Sequence, residues 1–439
     1  MQMRGGLVAM AALLTCVASV ARAGTPELYG FGPRAIALAG AIEAAADGPR
    51  ATWNNPAALG RLASAGGSLG LLQLAPSHRI VQIGGQQRYP AATPGPVTLG
   101  NLAVAAPIGG PFRERLGVGL ALHIPLSSPT QIWSRDPRQP QVPLYEGLVD
   151  RLLVGLGVGW RVTDWLCVGV TGQLLAELSG GGDFRVSSLE RRFTDQRLAV
   201  DLWSRLTFTA GATADLGTRW RLAVVFRQHA DVRYQLPLTV RVAELGDVAM
   251  DVRGVGLWSP MSLALAARFA VTPRWSVLAS ARWERWSELP PLGPDVRIDV
   301  DNAALARNPE QAEQILSVQT SPVPLAAADR VVPRLGVEHR IARWLRLRGG
   351  LGWRTTPLPR ATGSANYLDA DALDLGLGAG FALADPERVD VDRIGVDIAF
   401  GWSHLFRRTA SKRDPTDPVG GTSLEGDELR FSIALRHAL

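Results

Sequence analysis

Long stretches of this chain alternate residue by residue, and that limits its fold more than any other feature. In "LLVGLGVGWRV", Leu152, Val154, Leu156, Val158, Trp160 and Val162 share one face of an extended chain, and Leu153, Gly155, Gly157, Gly159 and Arg161 share the other. "RIGVDIAFGW" sets Ile394, Val396, Ile398, Phe400 and Trp402 against Arg393, Gly395, Asp397, Ala399 and Gly401. "ELRFSIALRHAL" sets Leu429, Phe431, Ile433, Leu435 and Leu439 against Arg430, Ser432 and Arg436. A period of two is that of a β-strand. About ten residues is also the length a tilted strand needs to cross a bilayer.

A soluble sandwich would turn its apolar faces inward and its polar faces to water. The faces opposite the apolar ones carry Gly, Ser, Thr and Arg, with few of the Lys and Glu residues of a solvated surface; Lys412 is the one lysine. A polar lumen fits this pattern better. The connections alternate in length. Four short ones, "RVTDW", "LGTRW", "VTPRW" and "IARW", end in Trp165, Trp220, Trp275 and Trp344. Aromatic rings favour the membrane–water interface, so these four read as one rim of a barrel, with short turns on the periplasmic side. The longer loops fall near 125–147, 179–201, 235–257, 291–327, 356–369 and 407–426. The strands between them are expected near 64–76, 97–107, 115–124, 148–162, 165–178, 202–216, 219–230, 258–271, 274–288, 329–341, 343–355, 370–384, 390–406 and 427–439. That is fourteen, an even number as a single-chain bacterial barrel requires. "HRIVQIGGQQRY" (78–89) reads either as a further strand pair or as a long loop.

The first 23 residues have the form of a secretory signal peptide: Arg4, the apolar run "LVAMAALLTCVASV", then Ala21-Arg22-Ala23 of the A-x-A type. The run is too short for a membrane anchor, and Thr15 before Cys16 is bulky for a lipoprotein site. Cleavage would lower the net charge from +6 to +4 and leave Cys167 as the one cysteine, so no intrachain disulfide is expected. The arginines are scattered along an exported chain, which argues against nucleic acid as a partner. The six histidines, His78, His123, His229, His339, His404 and His437, have no metal-ligand spacing. No phosphate-cradling glycine loop runs from a strand into a helix. An enzyme, a metal site and a cofactor are therefore not expected.

Residues 24–60 do not alternate. "GPRAIALAGAIEAAAD" places Pro33 at a first helical position and presents a small-residue face. It reads as helical and too short to span a bilayer, and the barrel interior is the place for it. "TWNNPAALGRL" follows, and Asn-Pro marks a turn.

These residues resemble the FadL-type outer-membrane transporters of long-chain fatty acids and other hydrophobic compounds. The resemblance rests on "AIALAGAIEAAADGPRATWNNPAAL", with Asn55-Pro56-Ala57 at the place of the family's Asn-Pro-Ala motif, and on "WSPMSLALAARFAVTPRWSVLASARWERWSEL" and "RVVPRLGVEHRIARWLRLRGGLGWRTTPLP". The three occur in family order, so the resemblance covers nearly the whole mature chain. The resemblance implies an all-β, 14-stranded antiparallel transmembrane β-barrel with a small N-terminal helical hatch in its lumen. The expected division is a signal peptide (1–23), a hatch (24–62) and a barrel (63–439) in the outer membrane, working as a monomer among outer-membrane lipids. It implies passive uptake of a hydrophobic small molecule, a fatty acid or an aromatic hydrocarbon, with lateral release through the wall near the third strand. The alternative is a barrel of the same family without transport, serving as an anchor or partner in secretion. Two departures stand out: "GTPELYGFG" in place of the Phe-Gln-Leu start, and Leu439 in place of a terminal phenylalanine.

Asn54, Asn55, Pro56 and Ala57 are expected to be the hinge of the hatch. Pro56 fixes its own φ, and the Asn side chains can satisfy backbone groups left open by a turn. Gly117 and Gly119, inward-facing on the third strand, and Pro125 after them mark either a lateral opening or room for the hatch. The register points Arg205, Arg268, Arg282, Glu284, Arg334, Glu338, Arg346, Arg348, Asp374, Arg393, Asp397, Arg430 and Arg436 inward. Most should brace the wall as pairs. Arg282, Arg334, Arg348 and Arg393 are the candidates for meeting a carboxylate head group, which a guanidinium fork suits. "NAALARNPEQAEQILSV" reads as a helix in an outer loop, capped by Asn308 with Pro309 and Glu310 after it.

Overall fold

A computed structural model describes residues 30–85, 88–110, 115–126, 138–145, 152–187, 192–242, 246–293, 295–300, 321–363, 365–383, 394–412 and 419–438. The signal peptide, Arg393, Leu439 and the helix expected around Asn308 lie outside the described residues.

Seventeen strands form one sheet. They are β1 (Gly66–Ile83), β2 (Val97–Pro107), β3 (Leu116–Pro125), β4 (Leu153–Arg161), β5 (Leu166–Ser187), β6 (Arg192–Leu216), β7 (Trp220–Arg227), β8 (Ala230–Val242), β9 (Gly246–Ser259), β10 (Ser262–Ala270), β11 (Trp275–Glu284), β12 (Asp295–Val300), β13 (Arg330–Arg340), β14 (Leu345–Arg354), β15 (Ala372–Leu383), β16 (Ile394–Ala410) and β17 (Gly421–Ala438). Fourteen of them close a ring of antiparallel neighbours: β1 to β7, then β10, β11 and β13 to β17. β17 returns to β1 from Gly66↔Ala438 to Ile83↔Gly421, so no strand edge is left for lipid.

Each of the fourteen expected strands is present, most with ends shifted by a few residues and β1, β5 and β6 extended by seven to ten at one end. The segment 78–89 resolves simply: β1 runs on to Ile83. The regions around 235–257 and 291–327, read above as loops, carry three further strands. β8 pairs with β9, β9 pairs with β12, and β8 lies parallel to β5 over Gly182–Val186. The expected loop at 179–201 is likewise the extended tip of the β5–β6 hairpin. These segments sit beyond the length a bilayer requires, so no lipid-facing apolar stripe marked them as strands.

The alternation sets the two faces of the wall. Leu156, Leu206, Leu265, Leu335, Leu377 and Phe431 are exposed on the outside, where lipid covers them. Trp165, Trp220, Trp275 and Trp344 are all exposed and stand at the short-turn end. Of the charges expected to face inward, Arg282, Glu284, Arg334, Arg348, Asp374, Asp397 and Arg430 are buried, while Arg205 and Arg346 are exposed.

Candidate functional site

The N-terminal segment lies within the ring and is not one helix. It is a short helix α1 (Pro33–Ala37), a 3-10 turn (Glu43–Ala45), a second short helix α2 (Ala51–Asn54) and another 3-10 turn (Pro56–Arg61). α1 stops where Ala39 and Gly40 take positive φ, 47° and 86°. A continuous helix would need more room than the wall leaves: a β-carbon at Gly350 would overlap the Leu38 backbone, and one at Gly376 the Ile36 carbonyl. The segment is folded to fit two glycine tracks rather than by its own helical propensity.

Asn55 organises the turn around Pro56. Its Oδ1 accepts from the Ala57 amide at 3.1 Å, and its Nδ2 donates to the Glu43 carbonyl at 2.9 Å. The first bond caps the following 3-10 turn; the second joins the two halves of the plug. Asn55 and Ala57 are fully buried. The wall beneath them is glycine: Gly159, Gly169 and Gly211 on β4, β5 and β6 lie so close that a β-carbon on any of them would overlap Asn55, Pro56 or Ala57.

Gly117 and Gly119 have the same cause. A β-carbon at Gly117 would overlap the Leu59 carbonyl, and one at Gly119 the Thr52 hydroxyl. β3 pairs without a register shift with β2, from Leu99↔Pro125 to Pro107↔Gly117, and with β4, from Leu116↔Trp160 to His123↔Leu153. In this conformation the two glycines seat the plug. On the lipid side of β1 to β4 lies an apolar depression of about 630 Å³ lined by Val104, Val118, Leu120, Leu156 and Val158.

Arg282, Arg334 and Arg348 are engaged by carboxylates. Arg282 donates to Glu43 at 2.6 Å, and Arg334 stands 4.0 Å from the same carboxylate. Arg348 bridges Glu338 (3.0 Å) and Asp397 (2.8 Å). Glu338 also holds Arg34 of α1 at 2.7 Å, and Asp397 holds Arg50 at 2.8 Å. Burial raises the Glu43 carboxyl, and Arg282 and Arg334 more than reverse that, so it stays below the usual carboxylate range. Arg282 and Arg334 face the plug's Glu43, whereas Arg348 joins two wall carboxylates that in turn hold the plug's Arg34 and Arg50. The plug charges in these pairs, Arg34, Glu43 and Arg50, are not among the sequence candidates; the two acids in the small-residue run "AIEAAAD" are the available signal.

Above the plug an apolar cluster fills part of the lumen, with Arg354 and His78 against its Tyr145. Leu72, Leu74 and Leu99 of the wall, with Ile36 and Ala37 of the plug, pack against Leu144 and Tyr145 from the β3–β4 connection and Tyr367 and Leu368 from the β14–β15 connection. The two connections are joined where Gln141 N donates to Asn366 O at 3.0 Å and Leu368 N to Gln141 O at 2.8 Å. Trp286 belongs to the same cluster, 5.4 Å from Trp258, with its Nε1 donating to Glu284 at 2.9 Å. On the β3 side Phe31 stacks on Trp53 at 5.3 Å, and Trp53 on His123 at 6.3 Å.

The family described as outer membrane protein transport protein (OMPP1/FadL/TodX) matches residues 14–430. Alkane uptake protein A of Marinobacter nauticus is 23% identical over 295 residues, a match spanning 63% of this chain and 61% of that protein. The crystal structure of a Pseudomonas aeruginosa FadL homologue superposes with a TM-score of 0.59 at 16% identity, covering 93% of this chain and 98% of that one. That of the Pseudomonas putida toluene transporter TodX gives 0.57 at 14% identity, covering 94% and 99%.

Proposed function

The chain belongs to the OMPP1/FadL/TodX family of outer-membrane transport proteins, and on that premise we propose that it takes up hydrophobic compounds, long-chain fatty acids and hydrocarbons among them, by passive diffusion through a plugged barrel. The observation that carries this reading is the apolar cluster directly above the plug, built from wall, plug and inward-folded outer loops. An apolar ligand entering there would replace loop side chains such as Leu144 and Leu368 and keep the cluster dry, whereas a hydrophilic solute would have to wet it. Nothing in such a route calls for bond making or breaking.

The plug then governs onward passage. Asn54, Asn55, Pro56 and Ala57 act as its hinge, held on the glycines of β4 to β6. Movement of this turn uncovers Gly117 and Gly119, and the ligand leaves sideways across β3 and β4, whose outer face carries the apolar depression. Alkane uptake by the Marinobacter relative and the toluene transporter from Pseudomonas putida are consistent with this ligand class. The N-terminal 23 residues serve as the export signal and are removed.

Uptake by a deletion strain tests the reading. Cells lacking the protein should take up dodecane, toluene and oleate several-fold more slowly than the parent, and re-expression should restore the rate. Parental rates for all three in the deletion strain would sink it and favour a role as an anchor in secretion.

A further inference from the structure

The periplasmic end of the lumen holds a second cavity, of about 370 Å³, that the route above does not use. Arg50, Arg61, Arg343, Arg346 and Arg436 line it, and Asp47 is its one lining acid. Behind this surface the charges do not balance. Asp397 is shared by Arg50 (2.8 Å), Arg348 (2.8 Å) and Arg436 (2.7 Å). Glu338 is shared by Arg34 and Arg348, and Asp47 takes Arg34 at 2.6 Å. With Arg346, which has no carboxylate within ion-pair distance among the described residues, five arginines face three acids. A concave surface carrying net positive charge attracts an anion, and a guanidinium suits a carboxylate.

The neighbour of this cavity is the apolar depression on the lipid face of β1 to β4. The two share Ala65, Gly66, Gly67 and His437. On the β1 side of this shared rim no side chain is larger than a methyl. A charged hollow inside, an apolar hollow outside and a bare rim between them match an amphiphile with an anionic head and a hydrocarbon tail.

We propose that the rim at Ala65–Gly67 is an exit site for carboxylate-bearing amphiphiles, with the carboxylate on Arg346 and Arg436 in the vestibule and the chain lying over the rim in the apolar depression. The proposal rests on the uptake reading and narrows its ligand class. Molecules with a carboxylate gain a site at the periplasmic rim that hydrocarbons lack. The vestibule is partly open to solvent, so the head contact is weak enough to release.

The test is equilibrium binding to the purified, heat-modifiable barrel in detergent, with laurate, dodecanol and inorganic phosphate as probes. Arg346→Gln removes head charge without breaking a tie between plug and wall. It should weaken laurate binding about fivefold, roughly 1 kcal/mol, and leave dodecanol unchanged, and Arg346→Lys should restore most of the loss. Gly67→Leu fills the depression: a β-carbon there meets Val104 at 3.8 Å, an ordinary contact, so the barrel stays intact. It should weaken laurate and dodecanol alike. Unchanged laurate binding in both variants would overturn the site. Phosphate binding as tightly as laurate, with the same dependence on Arg346, would overturn the amphiphile and leave a site for free anions. Wild-type cells that import neither laurate nor toluene would refute the uptake reading instead, independently of these binding results.

Discussion

The plug is fastened on two opposite sides of the ring, and the fastenings differ in kind. Toward β11 and β13 to β16 buried charges are added to a close seat on Gly350 and Gly376: Arg34 on Glu338, Glu43 on Arg282 and Arg50 on Asp397. Toward β3 to β6 it is held by fit. The turn from Thr52 to Gly60 lies on Gly117, Gly119, Gly157, Gly159, Gly169 and Gly211. Its polar contacts with β5 to β7 go mostly to carbonyls, Thr171 to Thr52 O at 2.7 Å and Arg227 to Trp53 O at 3.0 Å, with an ion pair between Arg61 and Asp215 at the rim. Separating a buried ion pair leaves two uncompensated charges. Sliding a turn off glycine leaves carbonyls, which water can satisfy once it enters. On that contrast the ionic side is the harder to separate, and the proposed hinge, Asn54–Ala57, lies on the glycine side.

The largest effect should come from breaking the ionic side. Arg282→Met strands the buried Glu43 carboxylate and should cost plug seating about 3–5 kcal/mol. Protease cleavage within residues 34–50 should appear, and channel conductance in planar bilayers should rise. Adding Glu43→Gln should recover most of the loss. A single variant as resistant as the parent would erase the contrast between the two sides.

Crowding the glycine side should do less and act locally. Gly169→Val drives a side chain into Pro56 and Ala57, and Ala57→Leu does so from the plug; each should cost about 1–3 kcal/mol. The barrel should remain folded and heat-modifiable, because its strands pair without help from the plug. Hydrogen exchange at the Ala57 amide should quicken while amides of residues 34–45 stay protected, and hydrophobic uptake should fall several-fold without a large water-filled pore. Equal loosening of both regions would mean that the plug moves as one body.

The smallest effect is expected from acid. The native Glu43 carboxyl lies below its unfolded value, so its contribution to plug seating is fully present above about pH 4.3. It is lost as pH falls through the lower native value. Conductance should therefore rise on strong acidification and not between pH 6 and 8. Glu43→Gln should remove the contribution of this residue to the acid response.

The fourteen wall strands were legible in the sequence because lipid on one side and lumen on the other impose a strict two-residue period, and a bilayer fixes the length over which it must hold. The inward charges followed from the same parity, down to Asp397 and Arg430. Asn55-Pro56-Ala57 was legible as a turn, since proline and asparagine act locally. Tertiary structure decided what no local rule contains. β8, β9 and β12 form above the membrane, where neither face must be greasy. Whether Gly117 is an opening or a seat depends on what stands opposite it, and Leu59 lies almost sixty positions earlier in the chain. The partner of Arg282, and the second partners of Glu338 and Asp397, were fixed only when the plug entered the ring and brought Glu43, Arg34 and Arg50 against the wall. Parity tells a side chain which side to face; only closure of the barrel around its own N-terminal segment tells it whom to meet.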